Sequence, residues 1–115
     1  MEPRELAKAI TDILTTKKAA DLRLMEVTEL TTLADYFIIA TGTSSPHLKT
    51  LSEEVEYVLK KQGILPNRIE GRSGGEWVLI DYGAVVVHLL SGDMREFYAI
   101  ERLWSDAKNV DEGEL

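Results

Sequence analysis

The sequence predicts an α/β (α+β) fold: a mixed five-stranded sheet carrying about three helices, in the order α-β-β-α-β-β-β-α. Three observations lead there. Apolar residues recur at helical spacing in three separate segments, near the start, in the middle and near the end of the chain. A strand–helix–strand unit in the middle implies a parallel pair with a right-handed crossover. Three short strand-like runs between residues 66 and 91 are joined by turns that require antiparallel neighbours. With so few helices, one face of the sheet can stay partly uncovered.

Residues 4–19 read as the first helix, with Leu6, Ile10, Ile13, Leu14 and Lys17 on one stripe. "LRLMEVT" (22–28) is a strand, followed by the polar connection "ELTTLAD". "YFIIAT" (36–41) is aromatic and β-branched almost without interruption, as expected of a strand buried on both faces. In "GTSSPHLKTLSEEVEYVLKKQG", Ser44 or Ser45 caps a helix whose first residue is Pro46. Its buried stripe is Leu48, Leu51, Val55, Val58 and Leu59, and Gly63 is a left-handed stop. "PNRIEG" (66–71) is a short strand and "RSGG" a flexible turn. "GEWVLIDYGAVVVHLL" (75–90) then holds two strands joined at Tyr82-Gly83 or Gly83-Ala84. "DMREFYAIERLW" (93–104) closes the fold as one helix that buries some of Met94, Phe97, Ile100, Leu103 and Trp104. The expected domain is 1–107, and "KNVDEGEL" (108–115) is an acidic tail with no core-forming pattern, expected to fray.

A chain of 115 residues supports one domain with a real core. It has no cysteine, so there is no disulfide framework, thiolate zinc site or thiol nucleophile, and a reducing compartment is the natural home. No apolar run approaches a membrane span, and "MEPRELAKAI" lacks the basic-then-apolar signal pattern, so a cytoplasmic protein is expected. The net charge of −7 argues against bare nucleic acid as the main partner and favours steering toward a basic protein.

The hairpin at 75–90 sorts into two unlike faces. A two-residue turn puts Val78, Ile80, Val85, Val87 and Leu89 on one side, with Tyr82 near the turn. The other side carries Trp77, Leu79, Asp81, Val86, His88 and Leu90, with Trp77 and His88 close across the ladder. The first face is plain core. The mixed face admits three readings: a second core layer under a helix, an active site using Asp81 and His88, or an exposed patch that buries Trp77 against another protein.

The enzymatic reading lacks parts. No "GxSxG" turn offers a nucleophile, and Asp81 alternates with Leu79 and Gly83 rather than with a second acid. The two histidines, His47 and His88, are too few for a His-rich metal centre. "TGTSSPH" is the nearest thing to a ligand cradle, with glycine, hydroxyls and free N–H groups at a helix start. Plain capping explains the same residues. The rival to a binding protein is therefore a small nucleotide-binding or nucleotidyl-transferring enzyme that uses Gly42–Ser45 as its phosphate turn.

Three motifs, "ADYFIIATGTSSPHLKTLSEEVE", "EGRSGGEWVLIDYGAVVVHLL" and "REFYAIERLW", taken in order and at this spacing, resemble the ribosomal silencing factor family (RsfS, or iojap) over residues 5–107. The family's usual acid after "DYG" is Ala84 here, and its usual Cys or Ser in the strand before "GTS" is Ala40 or Thr41. The resemblance implies a nucleotidyltransferase-like fold that has lost its catalytic acids, no catalysis and no cofactor. It also implies a partner, ribosomal protein fourteen of the large subunit. Occupying that protein's exposed side at the subunit interface blocks small-subunit joining and damps translation under nutrient limitation. A homodimer is expected when the protein is free. On this view Trp77, Asp81, Tyr82 and His88, with Glu70, Arg95 and Tyr98, form or border the docking surface.

Overall fold

The first apolar stripe becomes helix α1 (Pro3–Thr16) in the computed structural model, which describes residues 1–110. Its buried side is Leu6, Ala7, Ile10, Thr11 and Leu14, and Lys17 stays exposed. The helix stops before residue 19 because Lys18 turns left-handed (φ 65°). Its N–H then reaches Thr15 O, and that of Ala19 reaches Leu14 O, which satisfies carbonyls the helix leaves open. Gly63 (φ 79°) ends α2 (Ser45–Lys61) with the same pair of bonds, to Lys60 O and from Ile64 N to Leu59 O. At the other end of α2 the hydroxyl of Ser44 accepts the His47 N–H.

The strands are β1 (Ala20–Glu26), β2 (Tyr36–Gly42), β3 (Arg68–Glu70), β4 (Trp77–Asp81), β5 (Val85–Ser91) and β6 (Lys108–Asn109), in the sheet order β3-β4-β5-β2-β1-β6. β2 is buried at every position, as its uninterrupted apolar run requires. It lies parallel to β5, from Tyr36 opposite Val85 to Gly42 opposite Ser91, and every other pairing is antiparallel. The parallel partner of β2 is thus β5; β3, the first strand after the crossover helix, goes to the far edge.

α1 and α2 cover one face of the sheet. There Leu24, Tyr36, Ile38, Ala40, Val78, Ile80, Val85, Val87 and Leu89 meet Leu6, Ile10, Leu14, Leu48, Leu51, Val55 and Leu59. The other face carries a smaller core of Met25, Val27, Phe37, Ile39, Leu90, Ile100 and Ala107, with Trp77, Val86, Met94 and Trp104 packed at its border. This second layer comes from α3 (Gly92–Tyr98) and α4 (Ile100–Leu103).

Two expectations change. The single helix at 93–104 is broken at Ala99, which sits left-handed at φ 46°, because Ile100 turns inward to a buried position while α3 buries no residue at all. The sheet has six strands instead of five, since Lys108 and Asn109 pair with Glu26 and Met25, and Val110 N–H bonds to Leu24 O. The edge of β1 offers unpaired backbone groups, and a two-residue strand needs no apolar pattern to take them. The first residues of the expected tail are therefore paired; 111–115 lie outside the described residues.

Candidate functional site

The hairpin of β4 and β5 closes with the two-residue turn Gly83-Ala84, Tyr82 N–H bonding to Val85 O. Gly83 takes φ 83°, a conformation glycine adopts without penalty. The register runs from Asp81 opposite Val86 to Trp77 opposite Leu90, so even positions of β4 share a face with odd positions of β5. The burial of β4 alternates to match: Val78 and Ile80 are fully enclosed, whereas Trp77, Leu79 and Asp81 are only partly covered. On β5, Val86 and His88 are also partly covered. The mixed face is only partly covered: α3 and α4 pack over β2, β1 and the Leu90 end of β5, and the β3–β4 side stays open.

Register extends this face to β3. Glu70 stands opposite Leu79 and Arg68 opposite Asp81. Glu70, Gly71, Trp77 and Leu79 line a shallow cleft of about 250 Å³. Arg68 bridges Glu70 at 3.3 Å and Asp81 at 3.4 Å, an exposed arrangement that adds little stability.

Aromatic rings form a continuous row from the exposed border of this face into the second core. Phe97 meets Tyr98 edge-on at 5.0 Å, and Tyr98 meets Trp77 at 4.7 Å. Trp77 then approaches His88 at 6.0 Å, His88 meets Phe37 at 5.8 Å, and Phe37 meets Trp104 at 4.9 Å. The indole N–H of Trp77 donates to His88 Nδ1 at 3.3 Å, which leaves the imidazole proton on Nε2. Burial lowers the His88 pKa from 6.5 to about 4, so the ring is neutral at ordinary pH. The exposed end of the row is Phe97, 80% accessible, beside Tyr98 at 47%.

Of the residues singled out in the sequence, Glu70, Trp77, Asp81 and His88 share this face and Tyr98 borders it. Asp81 also acts locally, since its carboxylate accepts the Gly83 N–H at 2.7 Å and so holds the turn. Tyr82 does not belong with them. Its side chain packs into the core under α1 and α2, with Glu56 and Arg72 nearby, and burial, followed by the charge of Glu56, pushes its pKa up to about 12. Arg95 is drawn inward, its side chain 11% exposed, where Nε donates to Glu101 Oε2 at 3.0 Å. The sequence-based set omits Phe97, although "REFY" holds the signal: neighbouring helical residues point about 100° apart, so both aromatics cannot enter one core.

The Gly42–Ser45 turn is occupied by its own side chains. Thr43 N–H donates to His47 Nδ1 at 2.9 Å, and His47 Nε2–H donates to Lys17 O at 2.9 Å. The His47 N–H is spent on Ser44 Oγ at 3.1 Å. A Cβ on Gly42 would lie 2.7 Å from the Leu48 side chain, so this glycine serves close packing of α2 on β2. A phosphate would have to displace these bonds. Among the described residues, no group of three or more His, Cys, Asp or Glu side chains could hold a metal ion, and no helix is long and apolar enough to cross a membrane.

Comparison with known proteins places this geometry in a lineage. The family described as "Ribosomal silencing factor during starvation" matches residues 1–115. A ribosomal silencing factor of Halalkalibacterium halodurans is 35% identical over 111 residues, covering 96% of this chain and 95% of that protein. A crystal structure of a Chromobacterium violaceum protein superposes with a TM-score of 0.89 at 38% identity, over 91% of this chain and 88% of the other. The mouse protein named "Mitochondrial assembly of ribosomal large subunit protein 1" is 32% identical over 102 residues, 84% of this chain and 43% of its own length. Whole-length sequence agreement and a shared sheet leave one conclusion: this chain belongs to the ribosomal silencing factor family.

Proposed function

We propose that the chain acts by occupancy: it docks through the open half-sheet and its aromatic border onto ribosomal protein fourteen, at the intersubunit face of the large ribosomal subunit, and thereby prevents the small subunit from joining. Translation in the cytoplasm is damped in this way when nutrients are short. The observation that carries this reading is Phe97, 80% exposed, continuing through Tyr98 to the adjoining ring of Trp77. Rings that stand in water beside a partly open apolar cleft gain affinity only when a partner covers them. The net charge of −7 adds long-range attraction to a basic ribosomal protein. Glu70 and Asp81 share one cation, Arg68, so the face keeps a negative excess of its own. In the absence of subunits, the same apolar border pairs with a second copy of the chain.

The deciding experiment is co-sedimentation with purified large subunits, small subunits and a joining mixture. Binding to large subunits alone, with loss of joining, is expected for the parent protein, and Trp77→Ala combined with Phe97→Ala abolishes both at unchanged circular dichroism. Normal joining in excess protein, or full binding by the folded double variant, refutes the reading. Titration with ATP and Mg²⁺ separates the enzymatic rival: because the turn at 42–45 is internally bonded, no rise in melting temperature is expected at sub-millimolar nucleotide.

A further inference from the structure

The aromatic end of the docking face stands on a helix with little to hold it. α3 has seven residues and buries none of them, and a helix so short has no stability of its own. Ser91 caps its start and Met94 rests at the border of the second core, but the side chain that ties it to other elements by hydrogen bonds is Arg95. Arg95 Nε donates to Glu101 Oε2 across the break at Ala99, and Nη1 donates to Thr41 Oγ1 at 3.0 Å on β2. The same Nη1 donates to the backbone carbonyl of Asp21. That carbonyl lies in the register shift of β1 between Ala20 and Arg23, where Asp21 is left-handed (φ 47°) and the ladder leaves backbone groups unpaired. One guanidinium thus joins α3, α4, β2 and the bulge of β1, using the planar fork that lysine lacks.

We propose that Arg95 is a positioning residue for docking: its clasp on Glu101, Thr41 and the Asp21 carbonyl sets the pose of α3 and so presents Phe97 and Tyr98 against Trp77, without Arg95 touching the partner. The inference rests on the docking role argued above. It reassigns Arg95 from the partner-contacting set to the scaffold beneath it, and it adds Glu101, Thr41 and Asp21 as members of that scaffold.

The test uses the full chain carrying Trp104→Phe, which leaves Trp77 as the sole indole of the two in the sequence. Arg95→Gln is expected to shift Trp77 emission to the red, as Tyr98 leaves its ring, and to weaken binding to purified large subunits about tenfold. Arg95→Lys restores part of both. In a Phe97→Ala/Tyr98→Ala background, Arg95→Gln is expected to cost no further affinity, because the groups it positions are gone. Unchanged emission and binding in Arg95→Gln overturn the proposal, and so does a loss that persists undiminished in the Phe97→Ala/Tyr98→Ala background. If Arg95→Gln does not fold, Glu101→Gln loosens the same clasp while keeping the guanidinium. A smaller red shift there supports the proposal, and unchanged emission overturns it. Should Phe97→Ala/Tyr98→Ala bind subunits like the parent, the docking role fails; the emission measurements still decide whether Arg95 sets α3.

Discussion

Acid should cost this protein stability through His88, by an amount set by the open face itself. The imidazole is enclosed by Phe37, Trp77 and its strand neighbours, and the Trp77 indole N–H points at its Nδ1. Burial lowers its pKa from 6.5 to about 4, so the unfolded chain takes up the proton first as pH falls. The sign follows from linkage: stability is full above 6.5, declines between 6.5 and about 4, and the loss is complete below that. At about 1.4 kcal/mol per tenfold change in proton affinity, the total is ~3 kcal/mol, a large share of the 5–15 kcal/mol typical of a domain. The assay is urea unfolding across this range for the parent and for His88→Asn, whose Oδ1 can still accept from Trp77 but cannot titrate. Carboxylates titrate in both proteins and cancel, so the stability difference between them should change by ~3 kcal/mol over the range. A difference that stays flat with pH refutes the buried, neutral histidine at the centre of this face.

Other consequences are local. Gly71→Ala places a Cβ 1.9 Å from the Trp77 carbonyl at φ 83°, so β3 must leave β4; a loss of about 3 kcal/mol in urea unfolding is expected, with the cleft beside Trp77 opened. Ser44→Ala removes the acceptor for the His47 N–H and should lower stability by about 1 kcal/mol, seen as a drop in Tm of about 4 °C. Tyr82 has a buried hydroxyl with no partner among the described residues, so Tyr82→Phe should be neutral or stabilising by up to ~1 kcal/mol, and its loss should leave large-subunit binding unchanged. In alkaline titration of the parent, one of the four tyrosines should ionise only near pH 12, and Tyr82→Phe should remove that step.

Periodicity and turn chemistry alone predict most of the architecture. The strand at 36–41, the capped helix from Ser44 to Gly63 and the two faces of the hairpin all depend on residues close in sequence, and local sterics and burial patterns decide them. Trp77, Asp81 and His88 fall on one face for the same reason, because a two-residue turn leaves a single pairing of odd with even positions. What no local pattern carries is which distant groups meet. The pairing of β2 with β5, the addition of β6 and the kink at Ala99 arise from long-range competition for backbone partners and core space. Arg95 shows the difference most plainly: along the chain its nearest opposite charges are Asp93 and Glu96, yet it binds Glu101, Thr41 and the Asp21 carbonyl. Folding brings those groups together around a largely enclosed cation, whose lost hydration has to be replaced by whichever acceptors the closed structure supplies.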